Sequence, residues 1–193
     1  MTFRLCVYCG SRHGVRASYA AAARAIGAEI GRRGWQLVYG GGRVGLMGEA
    51  ADAALAAGAR VVGVIPQTLR EREVGHLGLH ELHVVPTMHL RKQMMAERAD
   101  AFVALPGGIG TLEELYEVWT WRQLGYHDQP IGLLNVDGYY DALLRFMSHS
   151  VDEGFLAPAQ HALLQVDTDP AALLDRLHRL AAGGGREDDY SRI

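Results

Sequence analysis

The amino-acid sequence predicts an α/β fold: a single Rossmann-like, doubly wound parallel sheet with helices on both of its faces. Short apolar runs alternate with longer segments of helical spacing, which is the pattern of repeated βαβ units. Glycines stand at the ends of the helical segments, where helices commonly stop. The chain has 193 residues, which is enough to bury one sizeable core.

The predicted elements follow from these runs and from the turn residues between them. Strands are expected over residues 3–8, 35–39, 60–65, 81–85, 101–105, 130–135 and 163–166. Helices are expected over residues 16–33, 46–57, 88–98, 112–124, 139–153 and 170–181. Thr87 is the predicted N-cap of the helix over 88–98. Residues 67–79 lack a clear period and are predicted as a loop with one helical turn.

No linker or internal repeat divides the sequence, so residues 1–182 are expected to form one Rossmann-type domain and residues 183–193 a Gly-rich, polar C-terminal tail. A net charge of −3 gives no reason to expect nucleic acid or an anionic membrane surface as a partner. No apolar run approaches the roughly 20 residues of a membrane span. The first residues enter a strand without a signal-peptide core, so a cytoplasmic location is expected.

Cys6 and Cys9 form a C-x-x-C pattern but no disulfide framework. They lie on and just beyond a predicted strand, so their side chains are expected to diverge. This placement disfavours a redox or metal role for the pair.

The stretch 105–114, LPGGIGTLEE, joins a buried strand to a helix through a glycine turn. Such a turn presents free backbone N–H groups at a helix N-terminus, where anions bind. The same residues also fit a capping box, in which Thr111 is the N-cap and Glu114 reaches back to its N–H. A phosphate site and plain turn chemistry both remain open from this stretch alone.

A second glycine turn, residues 40–45, matches G-x-G-x-x-G between a strand and a helix. A dinucleotide site also requires an acidic residue at the end of the following strand. That strand ends here in Pro66, which disfavours NAD. The turn is therefore interpreted as a second backbone wall for a smaller nucleotide.

Arg91 lies on an otherwise apolar helix face, because Met88, Met95 and Ala99 share its side of the predicted helix. A buried guanidinium without a partner costs several kcal/mol. Two interpretations follow: an arginine that snorkels at the edge of the core, or one that pairs with a carboxylate or phosphate at the glycine turn.

Other chemistries find little support in the sequence. His76, His80 and His83 have no metal-ligand spacing and are interpreted as solvated loop residues, so no metal site is expected. No G-x-S-x-G elbow of a serine hydrolase is present.

The predicted helix 112–124 carries Trp121 and Leu124 outside its main apolar arc. A partner subunit could cover that second face, which predicts a homodimer, although a thick core of one chain would cover it too.

In these and other motifs, the chain resembles the Lonely Guy (LOG) family of cytokinin riboside 5′-monophosphate phosphoribohydrolases. The resemblance rests on Cys9-Gly10-Ser11, VYGGG-x-x-GLMG at 38–48, MH-x-RK at 88–92, PGG-x-GT-x-EE at 106–114, Trp121, QLG at 123–125 and LLNVDGYY at 133–140. It implies hydrolysis of an N6-substituted or plain adenosine 5′-monophosphate to free base and ribose 5-phosphate. The alternative is a non-catalytic nucleotide or cofactor carrier, or sensor, of the same fold.

The resemblance also implies roles for individual residues. Arg91 and Glu114 match the catalytic pair, and no cofactor is expected. The positions expected to contact substrate are Gly10, Ser11, Gly41, Gly42, Met47, Glu73, Lys92, Gly108, Ile109, Gly110, Thr111, Leu112, Glu113 and Thr120. Some relatives carry a lysine decarboxylase label, but no feature here suggests a pyridoxal phosphate site. Lys92 is the sole lysine and hence the sole Schiff-base candidate.

Overall fold

The computed structural model describes residues 2–70 and 75–183 and contains a seven-stranded sheet. Neighbouring strands of this sheet all pair in parallel. The strands are β1 Arg4–Tyr8, β2 Gln36–Tyr39, β3 Arg60–Pro66, β4 Glu81–Val85, β5 Ala101–Ala104, β6 Ile131–Leu134 and β7 Leu164–Asp167. The predicted parallel α/β sheet is confirmed.

The strand order is β4-β3-β2-β1-β5-β6-β7. From β1 the chain builds outward to one edge of the sheet, and from β5 it builds outward to the other. The order reverses between β1 and β5, which pair directly with Leu5 opposite Ala101. In open parallel sheets this reversal leaves a crevice beyond the carboxyl ends of the two strands, and ligands bind there.

Helices cover both faces of the sheet, as predicted. They are α1 Ala17–Arg32, α2 Gly45–Ala56, α3 Gln67–Arg70, α4 Met88–Glu97, α5 Ile109–Leu124, α6 Asp141–Asp152, α7 Pro158–His161 and α8 Pro170–Gly183, with a 3-10 turn at Val136–Gly138. Helices α1, α2 and α8 pack on one face, and α4 and α5 pack on the other. Gly27 and Gly31 let α1 approach α2 closely, because a Cβ at either position would overlap the backbone of α2 or the residue after it.

Successive residues of β1 point to opposite faces, as the period of a strand requires. Cys6 packs in the core beneath α4 and α5, whereas Cys9 packs in the core on the α1 and α2 side. Both thiols are free and buried. The predicted divergence of the two cysteines is confirmed.

The main correction concerns the start of α5. The helix begins at Ile109, three residues before the predicted start, and its N-cap is Gly108. Thr111 is therefore the third helical residue and Glu114 the sixth, so the capping-box interpretation is wrong. The prediction favoured threonine as a cap, but glycine is also a good N-cap residue. The absence of a Cβ on Gly107 leaves room for the Thr111 side chain inside the turn, since a Cβ there would overlap it.

Two further helices differ from the prediction. The short helix α7 was not predicted, and the helix predicted over 139–153 begins later, after the 3-10 turn. Thr87 caps α4 as expected, with its hydroxyl accepting the Leu90 N–H at 3.2 Å. In the described part of the chain, no helix is both long and apolar enough to cross a membrane. Of the predicted tail, residues 184–193 lie outside the described residues.

Candidate active site

A cavity of about 620 Å³ opens where the strand order reverses, beyond the carboxyl ends of β1 and β5. Its walls come from the loop after β1, the start of α2, and the turn and first helical residues after β5. The cavity is lined by residues 9–14, 46–47 and 106–111 and by Tyr19, Arg91, Glu114 and Tyr139. Its size is typical of sites for small molecules.

The loop after β1 is fixed by backbone contacts on two sides. The Gly10 N–H donates to Pro106 O at 3.0 Å, and Gly10 O accepts the Leu46 N–H at 2.9 Å. Gly45 has a φ of +58°, and a Cβ there would overlap the Ser11 backbone. Glycine at position 45 is thus needed both for its left-handed backbone and for the close approach of α2 to this loop.

The N-terminus of α5 faces the cavity with its backbone. The first N–H groups of a helix have no intrahelical acceptor, and here they belong to Ile109, Gly110 and Thr111, which line the cavity. A Cβ built on Gly108 or Gly110 meets nothing within 4 Å. Packing among the described residues therefore does not require these two glycines, and their small size leaves open space beside the N–H groups.

Arg91 is buried in the cavity wall and pairs with Glu114. The Arg91 side chain leaves α4, its Nε donates to Val64 O at 3.1 Å, and its Nη1 lies 3.4 Å from Glu114 Oε1. The two residues are only 6% and 8% exposed. Of the two interpretations of Arg91, the one with a carboxylate partner fits the structure. The pair joins α4 to α5 at the cavity wall.

Gly40 makes room for this guanidinium. A Cβ on Gly40 would overlap Arg91 Nη2, so the first glycine of the second glycine turn serves the cavity indirectly. The next two glycines, Gly41 and Gly42, make backbone contacts with the segment that begins at Gly75. Gly41 O accepts the His76 N–H at 3.0 Å, and Gly42 forms an isolated β-bridge with Gly75.

Lys92 does not line the cavity. Its ammonium contacts Glu113 at 2.5 Å and Glu117 at 2.8 Å. Burial favours a lower pKa for Lys92, but the hydrogen bonds with both carboxylates outweigh it and raise the pKa. The amine is therefore held protonated, whereas a Schiff-base lysine must react as the neutral amine.

The structure brings part of the expected substrate-contacting set to the cavity. Lining residues from that set are Gly10, Ser11, Met47, Gly108, Ile109, Gly110 and Thr111, together with Arg91 and Glu114. Outside the lining are Gly41, Gly42, Lys92, Leu112, Glu113 and Thr120. Thr120 and Glu113 are exposed on α5. Glu73 lies outside the described residues.

Among the lining side chains that the sequence did not predict at the site are Arg12, His13, Tyr19 and Tyr139. Arg12 is exposed, and within the described ranges no ion-pair partner is found for its guanidinium. His13 lies 3.3 Å from Glu49. Arg12 and His13 directly follow the Cys9-Gly10-Ser11 stretch, so their position after β1 was the available signal. Nothing in the local pattern around Tyr19 or Tyr139 indicates that they meet at this cavity.

The interpretation of His76 as a solvated loop residue is wrong. His76 is 4% exposed, its Nε2 lies 2.8 Å from Asp52 Oδ1, and its Nδ1 accepts the Gly78 N–H at 3.1 Å. Its burial arises because the segment after residue 74 packs on α2 and on the second glycine turn, a contact that no local pattern encodes. In the part of the chain that the structure describes, no group of three metal-ligating side chains is present.

Comparison with known proteins gives close relatives over most of the chain. A family model described as "Possible lysine decarboxylase" matches residues 47–177. The cytokinin riboside 5′-monophosphate phosphoribohydrolase LOG3 of Arabidopsis thaliana is 48% identical over 178 residues, which is 92% of this chain and 83% of that protein. The probable phosphoribohydrolase LOGL2 of Oryza sativa subsp. japonica is 50% identical over 174 residues, or 90% of this chain and 71% of that protein.

Solved structures with the same fold are more distant in sequence. The molybdenum cofactor carrier protein MCP from Chlamydomonas reinhardtii superposes with a TM-score of 0.72 at 22% identity, covering 94% of this chain and 99% of that one. A molybdenum cofactor binding protein from Rippkaea orientalis gives 0.70 at 19% identity, covering 93% and 98%. At this identity the likeness establishes the fold alone.

Proposed function

The chain belongs to the family described as "Possible lysine decarboxylase" and, within it, to the cytokinin riboside 5′-monophosphate phosphoribohydrolases, and on this basis we propose that it is an N-glycosyl hydrolase. Its substrate is an N6-substituted adenosine 5′-monophosphate or AMP. Water adds to C1′ of the ribose, the C1′–N9 bond breaks, and the base leaves with a proton. The products are free base and ribose 5-phosphate.

The observation that carries this proposal is the Arg91–Glu114 pair inside the cavity at the strand reversal. A buried ion pair adds little net stability, because desolvation offsets its attraction. Its position beside the free N–H groups of α5 is explained if the cavity holds a phosphate at one end and a reacting sugar at the other.

The phosphate end of the substrate fits the first turn of α5. Free N–H groups and the helix dipole favour an anion there, and Gly108 and Gly110 leave space for it to approach. Arg12 adds a positive side chain at the cavity wall. Fixing the phosphate places C1′ within reach of the catalytic pair, and such positioning contributes several kcal/mol to lowering the barrier.

Glu114 supplies the carboxylate. Glycoside cleavage passes through a transition state with positive charge on the sugar ring, which a carboxylate stabilises while it orients or deprotonates water. Arg91 holds this carboxylate from α4. Because Glu114 is the sixth residue of α5, the helix dipole acts on it only weakly, whereas the Arg91 guanidinium lies 3.4 Å from its carboxylate.

The remaining expected contacts fall into two groups under this proposal. Lys92 bridges α4 to α5 through Glu113 and Glu117, so it acts on the site by holding the two helices that carry Arg91 and Glu114. Leu112, Thr120, Gly41, Gly42 and Glu73 remain proposed contacts for the part of the nucleotide that extends beyond the cavity.

We also propose a homodimer that forms through α5 and α6. Helix α6 has an apolar stripe but no buried residue, and its Phe146 is 61% exposed. On α5, Leu124 is exposed too, whereas Trp121 is buried by its own chain. Leu124, Phe146 and Phe155 are exposed apolar side chains, and we propose that a second copy of the chain covers them. The free thiols of Cys6 and Cys9 fit a reducing compartment, and the cytoplasm is proposed as the site of action.

The test is to incubate the protein with AMP and with an N6-substituted AMP and to separate the products by chromatography. The proposal predicts free base from at least one of them. Glu114→Gln should bind the same nucleotides and release almost none. Binding without base release by the wild type would instead support the carrier or sensor alternative, and the absence of both binding and release would refute both.

A further inference from the structure

Three successive carbonyl groups in the turn after β5 each accept a hydrogen bond from a distant part of the chain. These bonds run from Tyr140 Oη to Leu105 O at 2.6 Å, from Gly10 N to Pro106 O at 3.0 Å, and from Tyr139 Oη to Gly107 O at 2.5 Å. The two tyrosines end the LLNVDGYY stretch. The catalytic proposal assigns no role to that stretch.

The direction of one carbonyl in this turn decides where an N–H points. The carbonyl of Gly107 and the N–H of Gly108 belong to the same peptide group, which is planar and trans, so they point in opposite directions. Glycine stands on both sides of this group, so the φ and ψ angles that set the direction of the peptide are less restricted than beside a residue with a Cβ. Without a partner for Gly107 O, the Gly108 N–H would not be held in one direction.

Tyr139 is well placed to supply that partner. Its ring contacts Tyr19 edge-on at 5.5 Å and Tyr140 at 4.8 Å between ring centroids, and it lines the cavity. The preceding residues are tied to α1, because Ser18 Oγ donates to Asp137 Oδ2 at 2.6 Å. Tyr139 is 42% exposed, so its hydroxyl is oriented by these two ring contacts and by its bond to Gly107 O rather than by burial.

We propose that Tyr139 is a positioning residue that fixes the Gly107–Gly108 peptide so that the Gly108 N–H, together with the first N–H groups of α5, meets the 5′-phosphate. This inference rests on the proposed function, because it concerns the phosphate end of that substrate. Tyr140 makes the same kind of bond to the same turn, but the carbonyl that it holds precedes Pro106, which has no N–H to direct. The two tyrosines therefore provide a matched pair.

The test compares Tyr139→Phe with Tyr140→Phe, using a nucleoside 5′-monophosphate and the corresponding nucleoside as substrates. A lost hydrogen bond corresponds to a roughly five- to tenfold change in an equilibrium. Tyr139→Phe should raise KM for the monophosphate by about that factor and change kcat/KM for the nucleoside by less, so that the ratio of the two kcat/KM values falls. Tyr140→Phe should lower the melting temperature and leave the ratio of the two kcat/KM values as in the wild type. The proposal would be overturned if Tyr139→Phe left the ratio of kcat/KM for the monophosphate to kcat/KM for the nucleoside unchanged. It would also be overturned if this ratio fell equally in Tyr139→Phe and Tyr140→Phe.

A second measurement, a phosphate titration followed by NMR, uses only the wild-type protein and does not depend on its catalytic activity. In wild-type protein labelled with ¹⁵N, titration with inorganic phosphate should shift the amide resonances of Gly108 and Gly110. Shifts of Gly110 and Thr111 without Gly108 would overturn the role of the Gly107–Gly108 peptide. If the wild type bound phosphate with a shift of Gly108 and yet cleaved no nucleotide, the proposed reaction would fail while the role of the Gly107–Gly108 peptide in binding phosphate stood.

Discussion

At the scale of single residues, the cavity brings together a buried cation and a carboxylate from different helices. Arg91 is held by Val64 O and by the Glu114 carboxylate, and the missing Cβ of Gly40 gives the guanidinium its space. The sequence left two interpretations of Arg91 open, an arginine that snorkels at the edge of the core and one that pairs with a carboxylate or phosphate, and the structure fits the second. It could not predict the role of Gly40, since that contact joins residues far apart in the chain.

Glu114→Gln tests the role of the carboxylate. Glutamine keeps the shape and can still accept a hydrogen bond from Arg91, so the variant should fold and bind nucleotide, with a stability loss on the order of 1–3 kcal/mol from the weakened buried pair. Turnover should fall at least about a hundredfold, because the negative charge is lost. Steady-state kinetics checks this, with Glu97→Gln at the end of α4 as a control. Near-normal turnover would show that Glu114 is not the catalytic carboxylate, and Glu73 would be the next residue to test.

His127 predicts part of the pH dependence of stability. It is buried, its Nε2 donates to Val118 O at 2.8 Å, and burial lowers its pKa from the usual 6.5 to about 4. The unfolded chain therefore binds a proton at a higher pH than the native protein does, so stability falls as pH drops from 6.5 to 4.

This loss should be on the order of 3 kcal/mol by pH 4. Urea unfolding of His127→Gln should give a shallower pH dependence than that of the wild type over this interval. Parallel curves for the two proteins would show that His127 does not titrate in this way.

At the scale of elements, α5 shows what a local pattern can and cannot determine. Its C-terminal end was predicted closely, because Gly125 takes the left-handed conformation typical of a helix end. Its start was predicted three residues late, because Gly108 rather than Thr111 is the cap. The buried strands were predicted within about a residue or two, since a strand covered on both faces reads as a continuous apolar run.

Gly110→Ala separates the stability of α5 from its proposed function. A Cβ there meets nothing within 4 Å in the described part of the chain, and alanine favours a helix over glycine by up to about 1 kcal/mol. The variant should therefore be as stable as the wild type or more stable. Its KM for a nucleoside monophosphate should rise roughly tenfold, because the methyl group occupies the space beside the free N–H groups. Thermal unfolding and kinetics check the two effects.

Gly183→Ala is the control for Gly110→Ala. It also adds a Cβ in open space, at the end of α8 and away from the cavity, so its KM should not change. If KM were unchanged in Gly110→Ala as well, the phosphate would not bind at the start of α5.

At the scale of the whole molecule, the order of the strands positions the cavity. The reversal between β1 and β5 brings residues 9–14 and 106–111 together across almost a hundred positions of sequence. The sequence predicted a doubly wound sheet from its alternating elements, but strand order is a long-range property that local spacing does not encode. For the same reason Tyr19 and Tyr139 were not recognised as neighbours.

The exposed apolar surface of α5 and α6 predicts the oligomeric state. Light scattering at micromolar concentration should give about twice the chain mass of 21.1 kDa. Phe146→Glu should shift the mass to that of one chain, because a charge would be buried in the interface. Leu180→Glu, also at an exposed apolar residue but on α8 across the sheet, should remain a dimer. A wild-type monomer would contradict the prediction.

A mass-spectrometric balance of all products that the wild-type protein forms from an N6-substituted adenosine 5′-monophosphate tests the proposed hydrolysis. Equal amounts of free base and ribose 5-phosphate are expected, with no nucleoside and no inorganic phosphate, because water attacks C1′ and the phosphate ester stays intact. Release of phosphate and nucleoside, or quantitative recovery of intact nucleotide from AMP and from the N6-substituted compound alike, would contradict it.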